Sequence, residues 1–392
     1  MQKTRHKPIE RQLGYVLFAI PSRPETCRDN GPGSTGTLGM DPGPIAYRGD
    51  GPEVATGLSA IKKRFGSALF FLILLMAAGL SGCGETPSPK PPLKIGILCG
   101  VDFMIPVIDG FKAYLTEQGY VEGQGISYDV RITNFDMDGY RRILTGFVED
   151  GVDLILVLPT EASLLAKEIT AASKIPVVFC VANIEDNNLV SDVRNPGGNV
   201  TGVRYPGPDI AVKRFEILME LLPKVRNVCI PYQKGYPIVP SQLRALAPVA
   251  SQKGVKIHEV PADDAAELRE LMASAVKAGQ KCDAILFIAD PLTVHPDAFR
   301  AIADLARPRN LPVAGALIAN EDFGTLFGVN IEPRGTGIQA AVIAAKILKG
   351  ADPAVIPVVS SESFIQINFK MAQKMGIPVS EGLLSRSDEI IR

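Results

Sequence analysis

Histidine is scarce in this chain, which limits the chemistry open to it. The 392 residues include three histidines, His6, His258 and His295, which lie far apart. This set offers neither a metal-binding cluster nor a catalytic triad, and the sequence has no Gly-x-Ser-x-Gly nucleophile elbow. We therefore expect neither an enzyme nor a metalloprotein.

A surplus of basic residues is also missing. The chain has 41 lysines and arginines against 42 aspartates and glutamates, for a formal net charge of −1. Proteins that bind nucleic acid need a basic field to neutralise phosphates. We therefore expect no nucleic-acid partner.

Long hydrophobic runs are limited to one, from Phe65 to Leu80. It is shorter than the about 20 residues that a membrane-spanning helix needs. Lys62, Lys63 and Arg64 precede it, and small residues follow it. A basic head, a short apolar core and small residues before a cleavage point are typical of an export signal.

The end of this segment, Leu-Ser-Gly-Cys at 80–83, resembles the lipobox of bacterial lipoproteins. The resemblance implies that 61–83 is a lipoprotein signal peptide and that Cys83 carries the lipid and becomes the N-terminus. The alternative is an uncleaved signal anchor with an incidental cysteine. In either case we expect the rest of the chain in the bacterial cell envelope, facing the periplasm or the exterior. More than one acyl chain on Cys83 would make the membrane anchor stable.

The segments on either side of the signal have compositions that do not form a core. Residues 1–60 include a stretch rich in glycine and proline, and we interpret them as a dispensable leader extension or a start site placed too early. Residues 84–92 form a proline-rich spacer that should be extended and semi-rigid. About 300 residues remain, a size typical of two lobes.

Beyond the spacer, apolar strand-like runs alternate with helical patterns in two series, separated by a turn-rich segment at 195–202. Near-continuous apolar strands between helices predict parallel sheets covered on both faces. We therefore predict an α/β fold of two Rossmann-like lobes joined by a three-strand hinge. The first lobe would comprise 93–203 plus 326–355, and the second 204–325 plus 356–392.

Four cysteines fall in the predicted lobes: Cys99, Cys180, Cys229 and Cys282. Exported proteins often form disulfides, so pairing stays open. Cys99 and Cys180 belong to strands that we expect to be two strand spacings apart, beyond the about 7 Å between Cα atoms that a disulfide allows. We favour four buried free thiols.

One glycine pattern resembles a cofactor motif. Gly335, Gly337 and Ala340 match the loose dinucleotide-binding spacing after a strand. The acidic partner could only be Asp352, which follows the helix instead of ending a second strand. We therefore expect no bound cofactor.

Several stretches in order resemble a known family of ABC-transporter substrate-binding lipoproteins related to the tryptophan-binding type. They are IPVVFCV, NPGGNVTGV (195–203), AAKILKG (344–350), INFKMAQKMGI (367–377) and LLSRSDEII (383–391). The resemblance covers 93–392 and implies a type I periplasmic-binding-protein fold that closes on a small molecule and delivers it to an ABC permease and ATPase. We expect a monomer. A sensing or scaffolding lipoprotein of the same fold, acting with a receptor kinase, is the alternative.

The ligand of such a protein should lie beyond the carboxyl ends of the strands, near helix N-termini. In the first lobe these positions hold Asp102, Phe103, Thr160, Glu161 and Asn183. Thr160 matches a threonine usual in the family, but it could equally cap a helix. Phe103 could stack on a ligand or line the cleft wall, and Asp102 could bind an amine or cap its helix.

In the second lobe the corresponding positions hold Tyr232, Asp290 and Thr293, and Asn330 lies at the second crossing. Asp290 matches an acidic residue of the family and is our preferred charged contact, with a turn-forming role before Pro291 as the alternative. Tyr232 matches an aromatic position of the family. Tyr236 is a weaker candidate that we expect on the loop surface.

Two positions depart from the family pattern. The family often has Asp-Pro after the fourth strand, where this chain begins a different run at Asn183. It often has Gly-Val-Asp at the second crossing, where this chain has Asn330. An amide in place of a carboxylate removes a charge that would pair with an ammonium group, which favours a ligand other than a standard amino acid.

Overall fold

The computed structural model describes residues 91–133, 136–319 and 323–392. The predicted leader, the lipobox with Cys83, and all but the last two residues of the spacer lie outside the described residues. Within the described ranges, no helix is long and apolar enough to cross a membrane.

The described residues form two groups of strands with helices between them. In chain order the strands are β1 (Leu93–Cys99), β2 (Ile126–Ile132), β3 (Leu154–Leu158), β4 (Val177–Ala182), β5 (Val200–Arg204), β6 (Asn227–Gln233), β7 (Lys256–Ala262), β8 (Ala284–Leu286), β9 (Val313–Ala314), β10 (Phe327–Ile331), β11 (Val359–Ser360), β12 (Ser363–Asn368) and β13 (Glu389–Ile391).

The longer helices are α1 (Ile105–Glu117), α2 (Met137–Glu149), α3 (Thr160–Ile169), α4 (Gly207–Leu221), α5 (Val239–Gln252), α6 (Ala265–Lys277), α7 (Pro296–Ala306) and α8 (Pro333–Leu348), followed by the short α9 (Phe369–Lys374) and α10 (Glu381–Ser385). Three 3₁₀ turns cover Asp102–Met104, Arg307–Arg309 and Pro353–Val355.

The first lobe is built on a six-stranded parallel sheet in the order β11-β5-β4-β3-β1-β2. Side chains of β1 alternate between its two faces, as a strand requires. Ile95 and Ile97 pack in one core with α1 and α8. Leu98 belongs to a second core with Tyr140 and Phe147 of α2. Helices therefore cover both faces of this sheet.

The second lobe is built on the parallel sheet β7-β6-β8-β9. A bridge between Gly315 and Gly328 leads from its edge to the group β10-β12-β13, in which β10 and β12 run antiparallel. α4 packs on one face and α6 and α7 pack on the other. The prediction of an α/β fold with two parallel sheets is confirmed.

Three connections join the lobes, near Arg204, Glu332 and Ser361. They lie side by side: the Arg204 Nε donates to Ser360 Oγ at 2.7 Å, and the Glu332 backbone N–H donates to the Glu362 carbonyl at 3.4 Å. The chain segments differ from the predicted boundaries, because β10 bonds to the second lobe and β11 to the first. Strand pairing decides which lobe each of these segments joins, and the apolar pattern of the sequence does not show which strands pair.

Local differences from the sequence prediction follow from pairing as well. The turn-rich segment 195–202 runs into β5, which begins at Val200 because its backbone pairs with β4. In the apolar run at 284–289, β8 covers Ala284–Leu286. The very short β11 and β13 lack enough residues to show a periodicity.

Our expectation of four free thiols is wrong for one pair. Cys229 and Cys282 form a disulfide with their Cα atoms 5.8 Å apart, within the range that a disulfide allows. Cys229 lies in β6 and Cys282 precedes β8, its neighbour in the sheet. Cys99 and Cys180 are buried and free, on β1 and β4, with β3 between them. Desolvation by burial raises the pKa of the Cys99 thiol to about 11.

The close approach of α1 and α8 depends on two glycines. A Cβ at Gly110 would lie 2.0 Å from the Arg334 carbonyl oxygen, and one at Gly337 would lie 1.9 Å from the Val107 carbonyl oxygen. The helix backbones therefore touch directly, which fixes α8 on the first lobe after it leaves β10.

We predict that Gly337→Ala lowers the free energy of unfolding by about 1–3 kcal/mol, because the added methyl group must push the two helices apart. Gly146→Ala in α2 is the matched control, since a Cβ there would meet nothing within 4 Å. It should leave stability unchanged or raise it by up to about 1 kcal/mol. Urea unfolding of both variants measures this, and equal losses would contradict the packing described.

Candidate functional site

The carboxyl edge of the first sheet brings Thr160 and Asn183 together. Thr160 begins α3 directly after β3, and Asn183 follows β4. The Asn183 backbone N–H donates to the Thr160 hydroxyl oxygen at 3.0 Å, and both residues are buried. The hydroxyl accepts this bond and keeps its own proton to donate. Thr160 thus fixes the chain after β4 as well as beginning its helix.

The Asn183 side chain reaches the second lobe. Its Nδ2 donates to Ser241 Oγ at 3.5 Å, and the Ser241 hydroxyl donates to the Ile238 carbonyl at 3.1 Å. With the serine proton on that carbonyl, Ser241 accepts from the amide nitrogen, and the amide oxygen faces away from Ser241. Asn183 Oδ1 is then left without a hydrogen-bond partner. Water does not reach it, because the residue is only 1% exposed.

Glu161 presents a second unpartnered oxygen at the same edge. It lies in the first turn of α3, next to Thr160, and its Oε2 is buried without a hydrogen-bond partner. Across the cleft, Tyr236 is half-buried in the loop after β6 instead of on the loop surface as we expected. Burial, together with the nearby charges of Glu161 and Asp290, raises the pKa of the Tyr236 hydroxyl. The two lobes therefore meet at Glu161 and Tyr236 as well as at Asn183 and Ser241.

Gln242, which we did not single out from the sequence, supports the second-lobe side. Its side-chain amide donates to the Ala289 carbonyl and accepts from the Ala289 backbone N–H, both at 2.8 Å. This pair of bonds ties the first turn of α5 to the end of the segment after β8. The position of Ser241, one residue earlier, follows from it. The sequence signal for this role was two adjacent polar residues, Ser241 and Gln242, in the first turn of a helix that follows a strand.

Asp290 is held within its own loop. Its carboxylate accepts from the backbone N–H of Gln233 at 3.2 Å, of Leu292 at 2.8 Å and of Thr293 at 3.3 Å, and from the Thr293 hydroxyl at 2.8 Å. Burial raises the pKa of the Asp290 carboxyl, and these hydrogen bonds partly oppose that rise. Asp290 and Thr293 thus have the turn-forming arrangement that we considered as the alternative to ligand contact.

The remaining predicted positions lie apart from this polar junction or use their polar groups locally. The Tyr232 hydroxyl donates to Glu259 of β7 at 2.7 Å. Asn330 Oδ1 accepts from the Ile331 backbone N–H at 2.9 Å. Asp102 and Phe103 are exposed on the 3₁₀ turn after β1. The structure therefore groups Thr160, Glu161 and Asn183, and a role in binding stays a prediction for all of the predicted residues.

Comparison with known proteins assigns the chain to a family. A family model described as ABC transporter substrate binding protein matches residues 94–391. The chain belongs to this family. The predictions of the family and of a protein that is not an enzyme are thereby confirmed, and the protein is a solute-binding component of an ABC transporter, of an extracytoplasmic family.

Individual relatives of this substrate-binding protein are distant. It is 26% identical over 262 residues to a tyrosine-binding protein of Clostridioides difficile, which covers 66% of this chain and 73% of the relative. It also resembles the solved ABC domain in complex with L-Trp from Streptococcus pneumonia, with 24% identity, a TM-score of 0.65, and coverage of 77% and 100% of the two chains.

A third likeness is to the ligand-free, open structure of a substrate-binding protein with adhesive properties from Clostridium difficile. The identity is 22%, the TM-score is 0.61, and the alignment covers 76% of this chain and 99% of the other. At these identities, the likeness to solved structures shows the shared fold.

Ion pairs near the junction of the lobes of this substrate-binding protein lie both within the first lobe and between the two lobes. Asp186 after β4 forms an ion pair with Arg244 of α5. Glu185 pairs with Arg204 at 2.5 Å, and Arg204 also reaches Asp209 of α4 at 3.1 Å. Exposed pairs of this kind contribute little individually.

Arg214 of α4 is buried in the second lobe, where it links β10 to the segment after β8. It is 2% exposed, and its guanidinium donates to the Val329 carbonyl at 2.9 Å and the Phe287 carbonyl at 3.1 Å. Burial lowers the pKa of Arg214, while the charges of Tyr205 and Asp290 oppose that fall. Within the described parts of the chain, no group of histidine, cysteine, aspartate or glutamate could hold a metal ion.

We predict that Asp290→Ala lowers the free energy of unfolding by about 2–3 kcal/mol in the absence of any ligand, because buried N–H and hydroxyl donors lose their acceptor. Asp102→Ala, at an exposed position, is the control and should change stability by less than about 0.5 kcal/mol. Chemical denaturation compares the two. A neutral effect of Asp290→Ala on folding would contradict the structural role of this carboxylate.

Proposed function

We propose that this substrate-binding protein captures a small solute, amino-acid-like or otherwise small and polar or aromatic, between its two lobes and delivers it to the permease and ATPase of an ABC importer. The observation that carries the proposal is Asn183 Oδ1, which is buried without a partner where the lobes meet. A buried acceptor without a partner is costly unless another molecule supplies a donor.

The ligand-contacting set would centre on Thr160, Glu161 and Asn183. Their support is that they converge on one edge of the first sheet, where α3 begins and β4 ends. Phe103 and Asp102 would line the outer side of the cleft. Tyr232, Asp290, Thr293 and Asn330 would shape the second wall, mainly by holding the loops that face the ligand.

Closure would follow from contacts with both lobes. Asn183 and Ser241 already interact across the cleft, and the three connections lie together at one side. A ligand that touches both lobes favours the closed arrangement over the open one by the difference in its affinity for the two. The similarity to proteins described as binding tyrosine and L-Trp supports a ligand of that size.

We predict that the purified chain binds at least one compound in a thermal-shift and calorimetric screen of amino acids, purines, sugars and small acids. Asn183→Ala should weaken that binding about 10-fold or more, since it removes an acceptor from a buried contact. Asn188→Ala, an exposed neighbour, is the control and should bind as the wild type does. Equal affinity of both variants would contradict the proposed site.

The lipid anchor forms a separate part of the proposal. Cys83 would carry the acyl chains that attach the protein to the membrane, with the spacer at 84–92 holding the lobes away from the surface. The sequence Leu-Ser-Gly-Cys before this spacer is its support.

We predict that intact-mass spectrometry of the detergent-extracted wild type finds a chain that begins at Cys83 and carries lipid. Cys83→Ser should keep the preceding residues and lack the lipid. Cys27→Ser is the matched control and should be processed like the wild type. A wild-type chain that retains residues before Cys83 and carries no lipid would contradict the anchor.

A further inference from the structure

The two unpartnered polar atoms at the cleft edge of the first lobe are both acceptors. They are Glu161 Oε2 and Asn183 Oδ1, each buried and without a hydrogen-bond partner. The Thr160 hydroxyl lies between them in the network, because Thr160 precedes Glu161 and accepts the Asn183 backbone N–H. A ligand that satisfies both atoms must therefore bring hydrogen-bond donors to this point.

The hydrogen bonds of Ser241 assign the orientation of the Asn183 amide. The Ser241 hydroxyl uses its proton on the Ile238 carbonyl, so it can only accept from the asparagine. The amide nitrogen therefore faces Ser241, and the amide oxygen faces away from it. Gly207 leaves room at that oxygen, since a Cβ there would lie 3.1 Å from Asn183 Oδ1.

The charges around the cleft favour a cation over a neutral donor. Asp290 is satisfied by four hydrogen bonds within its loop, and its charge acts on buried Arg214. Glu161, in contrast, takes part in none of the ion pairs found among the described residues. The Tyr236 hydroxyl opposite hydrogen-bonds with the Glu161 side chain and is neutral at neutral pH, so it brings no positive charge to the carboxylate. A carboxylate oxygen that is buried and unpaired is costly until a positive group reaches it.

We propose that the solute carries an ammonium group, which donates hydrogen bonds to Glu161 Oε2 and Asn183 Oδ1 when the lobes close. This rests on the proposed function of the same cleft. An ammonium has three donors, enough for both oxygens, and charge-assisted hydrogen bonds to a carboxylate are about twice as strong as neutral ones.

An ammonium group on the ligand differs from our expectation of a ligand other than a standard amino acid. Asn183 and Asn330 stand where a carboxylate is usual, which argued against an amino group on the ligand. Glu161 supplies a carboxylate from the next helix instead. The ligand class therefore includes amino acids and the amines that lack their carboxylate.

Isothermal titration calorimetry of the full chain in detergent at neutral pH tests the inference. The probes are L-tryptophan and L-tyrosine, their counterparts without the amine (indole-3-propionate and 3-(4-hydroxyphenyl)propionate), their counterparts without the carboxylate (tryptamine and tyramine), and the uncharged D-glucose and myo-inositol. We expect binding by amine-bearing probes, and at least 100-fold weaker binding by the matching compounds without the amine.

Variants then assign the effect to the residue. Glu161→Gln keeps the size of the side chain, removes its charge, and should weaken amine binding 10- to 100-fold. Glu168→Gln changes an exposed glutamate of the same helix and should have no effect. Asn183→Asp adds a second carboxylate at the amine and should strengthen binding. Thermal unfolding without ligand confirms that each variant is folded.

The outcomes separate the two levels of the proposal. Equal binding by compounds with and without the amine, or wild-type affinity in Glu161→Gln, overturns the ammonium site. Binding by glucose or myo-inositol alone overturns it too and leaves the proposed solute-binding function standing. A full set of probes without any binding counts against both.

Discussion

The hydrogen bond from the Asn183 backbone N–H to the Thr160 hydroxyl is the contact on which the cleft depends. It joins the ends of two neighbouring parallel strands, so the loop after β4 has a fixed position. From that position the Asn183 side chain reaches Ser241 of the other lobe. A single buried asparagine thus links sheet geometry, the contact between lobes and an oxygen left for a ligand.

The same contact explains why the cleft residues come from distant parts of the chain. Parallel strands place their carboxyl ends on one side of a sheet, where each is followed by a loop and a helix N-terminus. Gln242 and Asp290 hold the corresponding loops of the second lobe, the first through Ala289 and the second through its own turn. These hydrogen bonds keep the facing groups of the second lobe in place before a ligand arrives.

The apolar runs of β1, β3, β4 and β6 were predictable because each is long, continuous and bounded by turn residues. The positions of Thr160 and Asn183 followed from the ends of these runs. The disulfide between Cys229 and Cys282 was not predictable, since it depends on which strands are neighbours. The same holds for β10 and β11, whose pairing partners lie far away in the sequence.

The role of a polar side chain was harder to predict than its place. Asp290 and Glu161 both follow buried strands and carry the same group, yet one is fully hydrogen-bonded and the other has an unpartnered oxygen. The difference comes from the local chain: Pro291 and Thr293 close a tight turn around Asp290, whereas Glu161 points from the first turn of a helix. Which hydrogen-bond donors surround a carboxylate depends on the folded chain, so the sequence pattern does not reveal it.

Native mass spectrometry of the chain purified without refolding, with identification of the compound released from the cleft, shows directly whether the cleft binds an ammonium group. We predict a small molecule with a nitrogen that is protonated at neutral pH and that donates to Glu161 and Asn183. Release of a compound without a basic nitrogen, such as a sugar or a dicarboxylic acid, would contradict it.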